Sequence, residues 1–435
     1  MISQTQVNSI DEDFYLASEL GISVDKFCSW LGGTGGLSYD PYDISGTKYG
    51  RWARRTYYKK NPLGSLLSAP LVLTEILCPS ARSVLVRKNR YATADAQRAL
   101  AFLNLYELRR GQERSEASVS VGEEHSSQAY LRNAKDLAAG LLEQSIPGYS
   151  GHCWGYPFDW QHVNGLMAKG TPHITATPYC YEVFVRLFDL TGEAQYLEVA
   201  RSIASFVFNN LNDTPRGDDA AASSYTPTDQ TKVVNASAYR AFVLFDAAHR
   251  FGETTYHEKA SKNLRFILRS QESDGSWLYA IDNPPEAFID HFHTCFVLKN
   301  LYKINLRLKS AEVGRAVENG YKFYRKALFD SDNNPMSYAV APRLQIVRLE
   351  MYNIAEAITL GTLVRNEIPE AFALAKEIAL RSIRNYQLPD GHWLTRIYIG
   401  GIKHTVPFLR WPQSQLFLAM TSLLHAVSNP VDTAN

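Results

Sequence analysis

Apolar residues along this chain fall into two alternating kinds of segment. Residues 178–190, 235–249, 291–302, 346–360 and 411–424 are apolar on most faces of a helical wheel, the pattern of a helix buried all round. Between them, residues 196–211, 256–269, 313–328 and 369–386 carry an apolar stripe and a charged face, the pattern of a helix with one wet side. Upstream, 92–109 and 128–142 supply one more of each kind, and 66–77 would complete a sixth outer position. The alternation carries a sequence repeat. Thr191-Gly192-Glu193-Ala194-Gln195-Tyr196-Leu197-Glu198-Val199-Ala200 matches Phe251-Gly252-Glu253-Thr254-Thr255-Tyr256-His257-Glu258-Lys259-Ala260 at Gly, Glu, Tyr, Glu and Ala. The offset of about 60 residues marks a stacked two-helix unit. Six such hairpins around one axis make an all-α (α/α)6 toroid with short β-hairpins in its longer loops. The toroid is expected over residues 76–428, with residues 1–75 an N-terminal extension packed on the barrel.

The connections are unequal. Inner-to-outer turns are short and end on Gly192 or Gly252, as a left-handed helix cap requires. Outer-to-inner connections run to roughly 15–25 residues, and loops of that length in a compact domain usually carry function. All of them precede inner-helix N-termini, so they gather at one end of the barrel, where the site is expected. Two contain the same motif, Gln271-Glu272-Ser273-Asp274-Gly275-Ser276-Trp277 and Gln387-Leu388-Pro389-Asp390-Gly391-His392-Trp393, with Gly151-His152-Cys153-Trp154 a weaker echo.

Polar stripes near the starts of the inner helices nominate the chemistry. Gln345, Arg348 and Tyr352 would share one helix face, Asp290 and His293 a second, Asn235 and Tyr239 a third, and Arg410, Gln413 and Ser414 a fourth. Buried polar groups are costly unless paired, so these either bond across the barrel or line a wet pocket. Converging helix N-termini, with Arg348, Arg410 and Arg343, would favour an anion such as a uronate or phosphate. Trp154, Tyr156, Trp160, Trp277, Tyr279, Trp393 and Trp411 could stack on sugar rings or simply pack the rim. Asp159 is the candidate loop acid or base. Asp290 is a general acid, an orienter of His293 or an N-cap, and Glu350 an ion-pair partner of the arginines. A glycosidase needs two carboxylates at a set separation. A lyase or epimerase acting on a uronate needs a base, an acid and a carboxylate neutraliser, roles His293, Tyr352 and Arg348 could fill.

The chain of 435 residues carries a formal charge of +1, which argues against a general nucleic-acid or membrane-surface binder. It contains no apolar run of about 18–20 residues, so no transmembrane helix is expected. Its first residues lack a leader-like apolar core, and its five cysteines are scattered, pointing to reduced thiols and a cytoplasmic location. No Walker A or dinucleotide motif is present, so no cofactor is expected. No ligand spacing suggests a metal, apart from Cys295 beside His291 and His293. Lys48–Lys60 stands out as basic and aromatic, and Arg110–Ser127 as a polar loop expected to be mobile.

Longer motifs add a resemblance. Cys153-Trp154-Gly155-Tyr156-Pro157-Phe158-Asp159-Trp160-Gln161, Lys169-Gly170-Thr171-Pro172-His173-Ile174-Thr175, Gln271–Tyr279 and Phe288–Leu298, with Tyr39-Asp40-Pro41-Tyr42-Asp43, resemble a family encoded in bacterial exopolysaccharide and O-antigen biosynthesis clusters. The resemblance implies a six-hairpin toroid and a part in polysaccharide production. Val234-Asn235 departs from it where a His-Asn pair is expected. The Gln/Asp-Gly/Trp motif is also similar to that of triterpene cyclases and protein prenyltransferases, which makes a terpenoid enzyme a third reading. The first is a carbohydrate-active enzyme acting on an acidic oligo- or polysaccharide, with other polysaccharide-assembly proteins as candidate partners. The second is a non-catalytic glycan-binding or assembly factor.

Overall fold

The structure is a computed structural model that describes residues 4–115, 125–342 and 344–429. Fifteen α-helices are present among the described residues. In chain order they are α1 (Gln4–Gly32), α2 (Lys48–Tyr58), α3 (Pro62–Leu77), α4 (Arg82–Leu85), α5 (Ala92–Ser115), α6 (Ser127–Glu143), α7 (Thr177–Thr191), α8 (Ala194–Asn209), α9 (Val234–Phe251), α10 (Thr254–Arg269), α11 (His291–Leu308), α12 (Ala311–Ala327), α13 (Met351–Leu363), α14 (Pro369–Tyr386) and α15 (Ser414–Ser428). Helices α5, α7, α9, α11, α13 and α15 form an inner ring around one axis, and α6, α8, α10, α12 and α14 lie outside it. The expected (α/α)6 toroid is the observed fold. Residues 116–124, half of the expected polar loop, lie outside the described residues, as does Arg343, and Arg110–Ser115 continues helix α5.

The sixth outer position is filled by α1, which packs along α14 and α15, and not by residues 66–77. Leu16, Leu20, Val24 and Phe27 recur every three or four residues and belong to the main core. Fully burying side chains of this size contributes roughly 1.5–3 kcal/mol each, so this part of the expected extension is barrel. The repeated motif explains the docking. Gly275 turns at φ +92° against the Asn319 carbonyl of α12, and Gly391 turns at φ +107° against the Lys26 carbonyl of α1. Gln271 Nε2 donates to the Ala316 carbonyl of α12 at 3.0 Å, and Gln387 Nε2 to the Ser23 carbonyl of α1 at 2.9 Å. Gly151 lies in the same way on Ser202 of α8. Each motif seats a turn on the next outer helix, so its role is structural.

The outer-to-inner loops carry short antiparallel strands: β1 (Trp160–His162) with β2 (Gly165–Met167), β3 (Asp213–Pro215) with β4 (Ala221–Ser223), and β5 (Ile289–Asp290) with β6 (Tyr338–Val340). A three-stranded sheet joins β7 (Val347–Glu350), β8 (Arg396–Tyr398) and β9 (Lys403–His404). Residues 33–91, between α1 and α5, hold α2, α3 and α4. Helix α2 packs on β1, so this insertion stands beside the long-loop end.

Candidate active site at the long-loop end

Asp290 sits at the start of α11 with extended backbone and caps the helix, its Oδ1 accepting from the His293 backbone N–H at 2.9 Å. The same carboxylate holds the His293 ring, Oδ2 lying 2.6 Å from Nδ1. The carboxylate engages Nδ1, which leaves Nε2 as the ring nitrogen that Asp290 does not touch. Tyr279 and Phe292 flank the ring at 4.5 and 4.3 Å between centroids. The His293 side chain retains 19% of its exposure while Asp290 is buried, so the imidazole is reachable and the carboxylate is not. Behind the pair is a cavity of about 10 Å³, the size of one water. It is lined in part by Asn235, whose buried amide has no protein partner at either atom.

A second imidazole is held against a buried carboxylate. His162, on β1, places Nε2 3.3 Å from the buried Glu286 carboxylate. Glu286 is held by Asn164 Nδ2 at 3.1 Å and Asn283 Nδ2 at 2.6 Å. Burial pulls His162 below the usual imidazole range, and Glu286 opposes this. The sequence reading missed this pair. Asn164 and Glu286 are 122 positions apart and share no local pattern.

The other candidates are placed differently. Arg410 is buried, with Nη2 2.9 Å from one Asp40 oxygen and Nε bonded to the other, and its guanidinium lies 4.8 Å above the Tyr156 ring. Its anion is therefore internal. The Gln345–Arg348–Tyr352 stripe does not form, because Val347–Glu350 pairs as β7 with β8 and the helix begins only at Met351. Arg348 is exposed on that strand and Gln345 lies in the loop before it. Glu350 pairs with Arg396 at 3.1 Å, not with Arg348. Asp159 is bonded to Arg51 and accepts from the Lys169 N–H at 2.8 Å, which ties its loop to α2 and occupies it structurally. Trp154 and Trp277 are buried, their indole N–H groups donating to the Leu141 and Ile267 carbonyls at 2.8 and 3.0 Å. Trp160 stays half-buried at the mouth against Tyr42, Tyr156 and His162. His291 turns away from His293 and bonds Tyr324 at 2.8 Å.

The barrel axis is filled. Tyr352 and Trp411 stack with centroids 3.6 Å apart and planes 3° from parallel. Tyr239 packs beside them on Phe296. Below, Glu356 pairs with Lys299 at 2.6 Å and accepts from Gln415 at 2.7 Å. Burial alone would pull the Lys299 ammonium down, but Glu356 outweighs it and holds it above the ordinary lysine value. A larger cavity, about 400 Å³, opens at the opposite end near Glu182, Arg186, Asp246, Arg250, Lys303 and Arg307. There the cations sit at inner-helix C-termini, where the helix dipoles favour them. Each is already paired with a carboxylate, so charge neutralisation explains that cluster without a ligand.

No family model and no curated protein matches this chain. Solved structures do. Cellobiose 2-epimerase from Bacillus thermoamylovorans B4167 superposes with a TM-score of 0.57 at 12% identity, over 78% of this chain and 88% of that one. A GH76 α-mannanase from Bacteroides thetaiotaomicron gives 0.55 at 12%, over 88% and 97%. A polysaccharide lyase gives 0.52 at 12%, over 78% and 91%. The shared property is the toroid.

Proposed function

We propose that this protein is a carbohydrate-active enzyme that moves a proton on a sugar, by epimerase, isomerase or lyase chemistry, with His293 as the base. The observation that carries this is the Asp290–His293 pair, a buried carboxylate bonded to a reachable imidazole. His162 on Glu286 is the second proton-handling group. Hydrolysis is the weaker option, because Asp290, Glu286, Asp40 and Glu350 are each committed to a histidine or arginine, whereas a glycosidase needs two carboxylates free to flank the glycosidic bond. The toroid neighbours named for epimerisation and lyase action on sugars support the same reading. With Arg348 outside the opening and Arg410 neutralised by Asp40, the proposed substrate is a neutral sugar, held against Trp160, Phe288 and Phe292. Its place in polysaccharide production, and in the cytoplasm, is proposed from the sequence motifs alone.

The test is proton exchange. Reducing disaccharides incubated with the protein in deuterated water should gain deuterium beside the carbonyl carbon. His293→Asn should lower that rate about 10²–10⁴-fold, and Asp290→Asn should lower kcat while leaving KM. A second reading, a glycan-binding factor without turnover, is favoured by the filled axis. It prevails if oligosaccharides bind, no exchange occurs, and His293→Asn changes nothing.

A further inference from the structure

The insertion that holds α2 and α3 carries a surface the proposed chemistry does not use. Between residues 44 and 90 the chain has ten Lys and Arg and one acidic residue, although its overall charge is only +1. Lys48, Arg55, Lys59 and Lys60 are exposed on and just after α2, and none makes an ion pair among the described residues. Beside them, Leu63, Leu66, Leu73 and Leu77 are spaced by three, seven and four positions, on one face of α3. With Val84 and Leu85 they are 51–88% exposed. Tyr49 and Trp52 stand out on α2, and the Tyr49 hydroxyl donates to the Leu67 carbonyl at 2.8 Å, binding the two helices into one unit. A contiguous exposed face of large aliphatic residues has a partner.

We infer that this face docks on an anionic lipid bilayer, lying in its interface. The composition is that of an interfacial helix pair: leucines for the acyl boundary, Trp and Tyr at headgroup level, and lysines and arginines for anionic lipid. No single helix here is long and apolar enough to span. The 16 residues of α3 reach about 24 Å at 1.5 Å per residue, short of the roughly 30 Å hydrocarbon layer. The apolar run then bends by 111° at the break before Pro79. A second copy is a poorer occupant, because a two-fold interface would set the same cations against themselves. Since α2 packs on β1, which carries Trp160 and His162, the docked face brings the mouth of the toroid to the membrane surface.

Full-length protein should sediment with vesicles of phosphatidylcholine plus phosphatidylglycerol, and far less with phosphatidylcholine alone. High salt should weaken the binding. Lys59→Gln with Lys60→Gln should lower partitioning about thirtyfold, the equivalent of about 1 kcal/mol per cation. Leu66→Ser with Leu73→Ser should lower it at least about tenfold, with an unchanged melting curve because both side chains are exposed. Brominated lipid should quench tryptophan fluorescence of the unmodified protein, a reading that needs no variant. The inference is overturned if neither vesicle binds, if both bind equally, or if the leucine variant binds as well as wild type. A lipid-free dimer abolished by Leu66→Ser would assign the face to a second copy and overturn it too.

Discussion

Arg410→Met tests whether the mouth is closed to anions from within. Arg410 and Asp40 are 6% and 0% exposed and joined by two charged hydrogen bonds. Without the guanidinium, Asp40 keeps only the Tyr42 backbone N–H at 2.9 Å among its charge-stabilising donors. Removing one partner of a buried pair leaves an uncompensated charge and costs about 3–5 kcal/mol. Asp40→Asn, which strands the arginine, should cost about 2–5 kcal/mol. Because either change breaks the same contact, the double variant should lose little more than one single, giving a coupling energy of at least about 1.5 kcal/mol. Urea unfolding of the four proteins, followed by far-ultraviolet circular dichroism, supplies the cycle. Calorimetry supplies a second readout: wild type should bind a uronic acid and its neutral sugar alike, and Asp40→Asn should gain affinity for the acid. Additive losses, or a wild-type preference for the uronate of about tenfold, equivalent to 1.4 kcal/mol, would refute the reasoning and return Arg410 to substrate binding.

Two further outcomes follow from groups already described. Burial works against ionisation of Glu75, yet the His404 hydrogen bond and the charges of Arg82 and Arg396 hold it at about 2. Its folded value lies below its ordinary one, so its contribution of about 3 kcal/mol is complete above the ordinary carboxylate range and is lost as pH falls toward 2; Glu75→Gln should flatten that acid limb in denaturation series. Gly391→Ala should cost more than about 2 kcal/mol, since its Cβ would meet the Lys26 carbonyl at 2.2 Å at φ +107°, whereas Gly192→Ala, at φ +72° with open space around it, should cost about 1 kcal/mol; thermal melts compare the two.

The later hairpins were legible because each helix announces itself locally. Residues 178–190 and 235–249 became Thr177–Thr191 and Val234–Phe251, their αL glycines marking the ends. Helix α1 was not assigned, although its core stripe was there to see. What makes it an outer helix is Gln387 reaching Ser23, 364 positions away. The Arg348 error has a similar origin: β7 is a strand only because β8 and β9 pair beside it, and the apolar run from Ile346 reads equally well as helix. The pairing of Asp290 with His293 was legible because a capped turn holds both within three residues. His162 and Glu286 were missed because two different loops bring them together.

The place of α1 in the ring also governs the order in which the chain can fold. It precedes the other described helices, while its partners α14 and α15 follow them, and Phe27 has no home until Trp393 and Phe417 arrive, at 4.9 and 5.0 Å between rings. Contacts of such sequence separation slow folding and leave apolar surface uncovered during synthesis. A growing chain must therefore carry an unmated greasy helix until α14 and α15 are made. Once shut, the circle has no loose edge from which to unravel, so its hairpins should come apart together and not one by one.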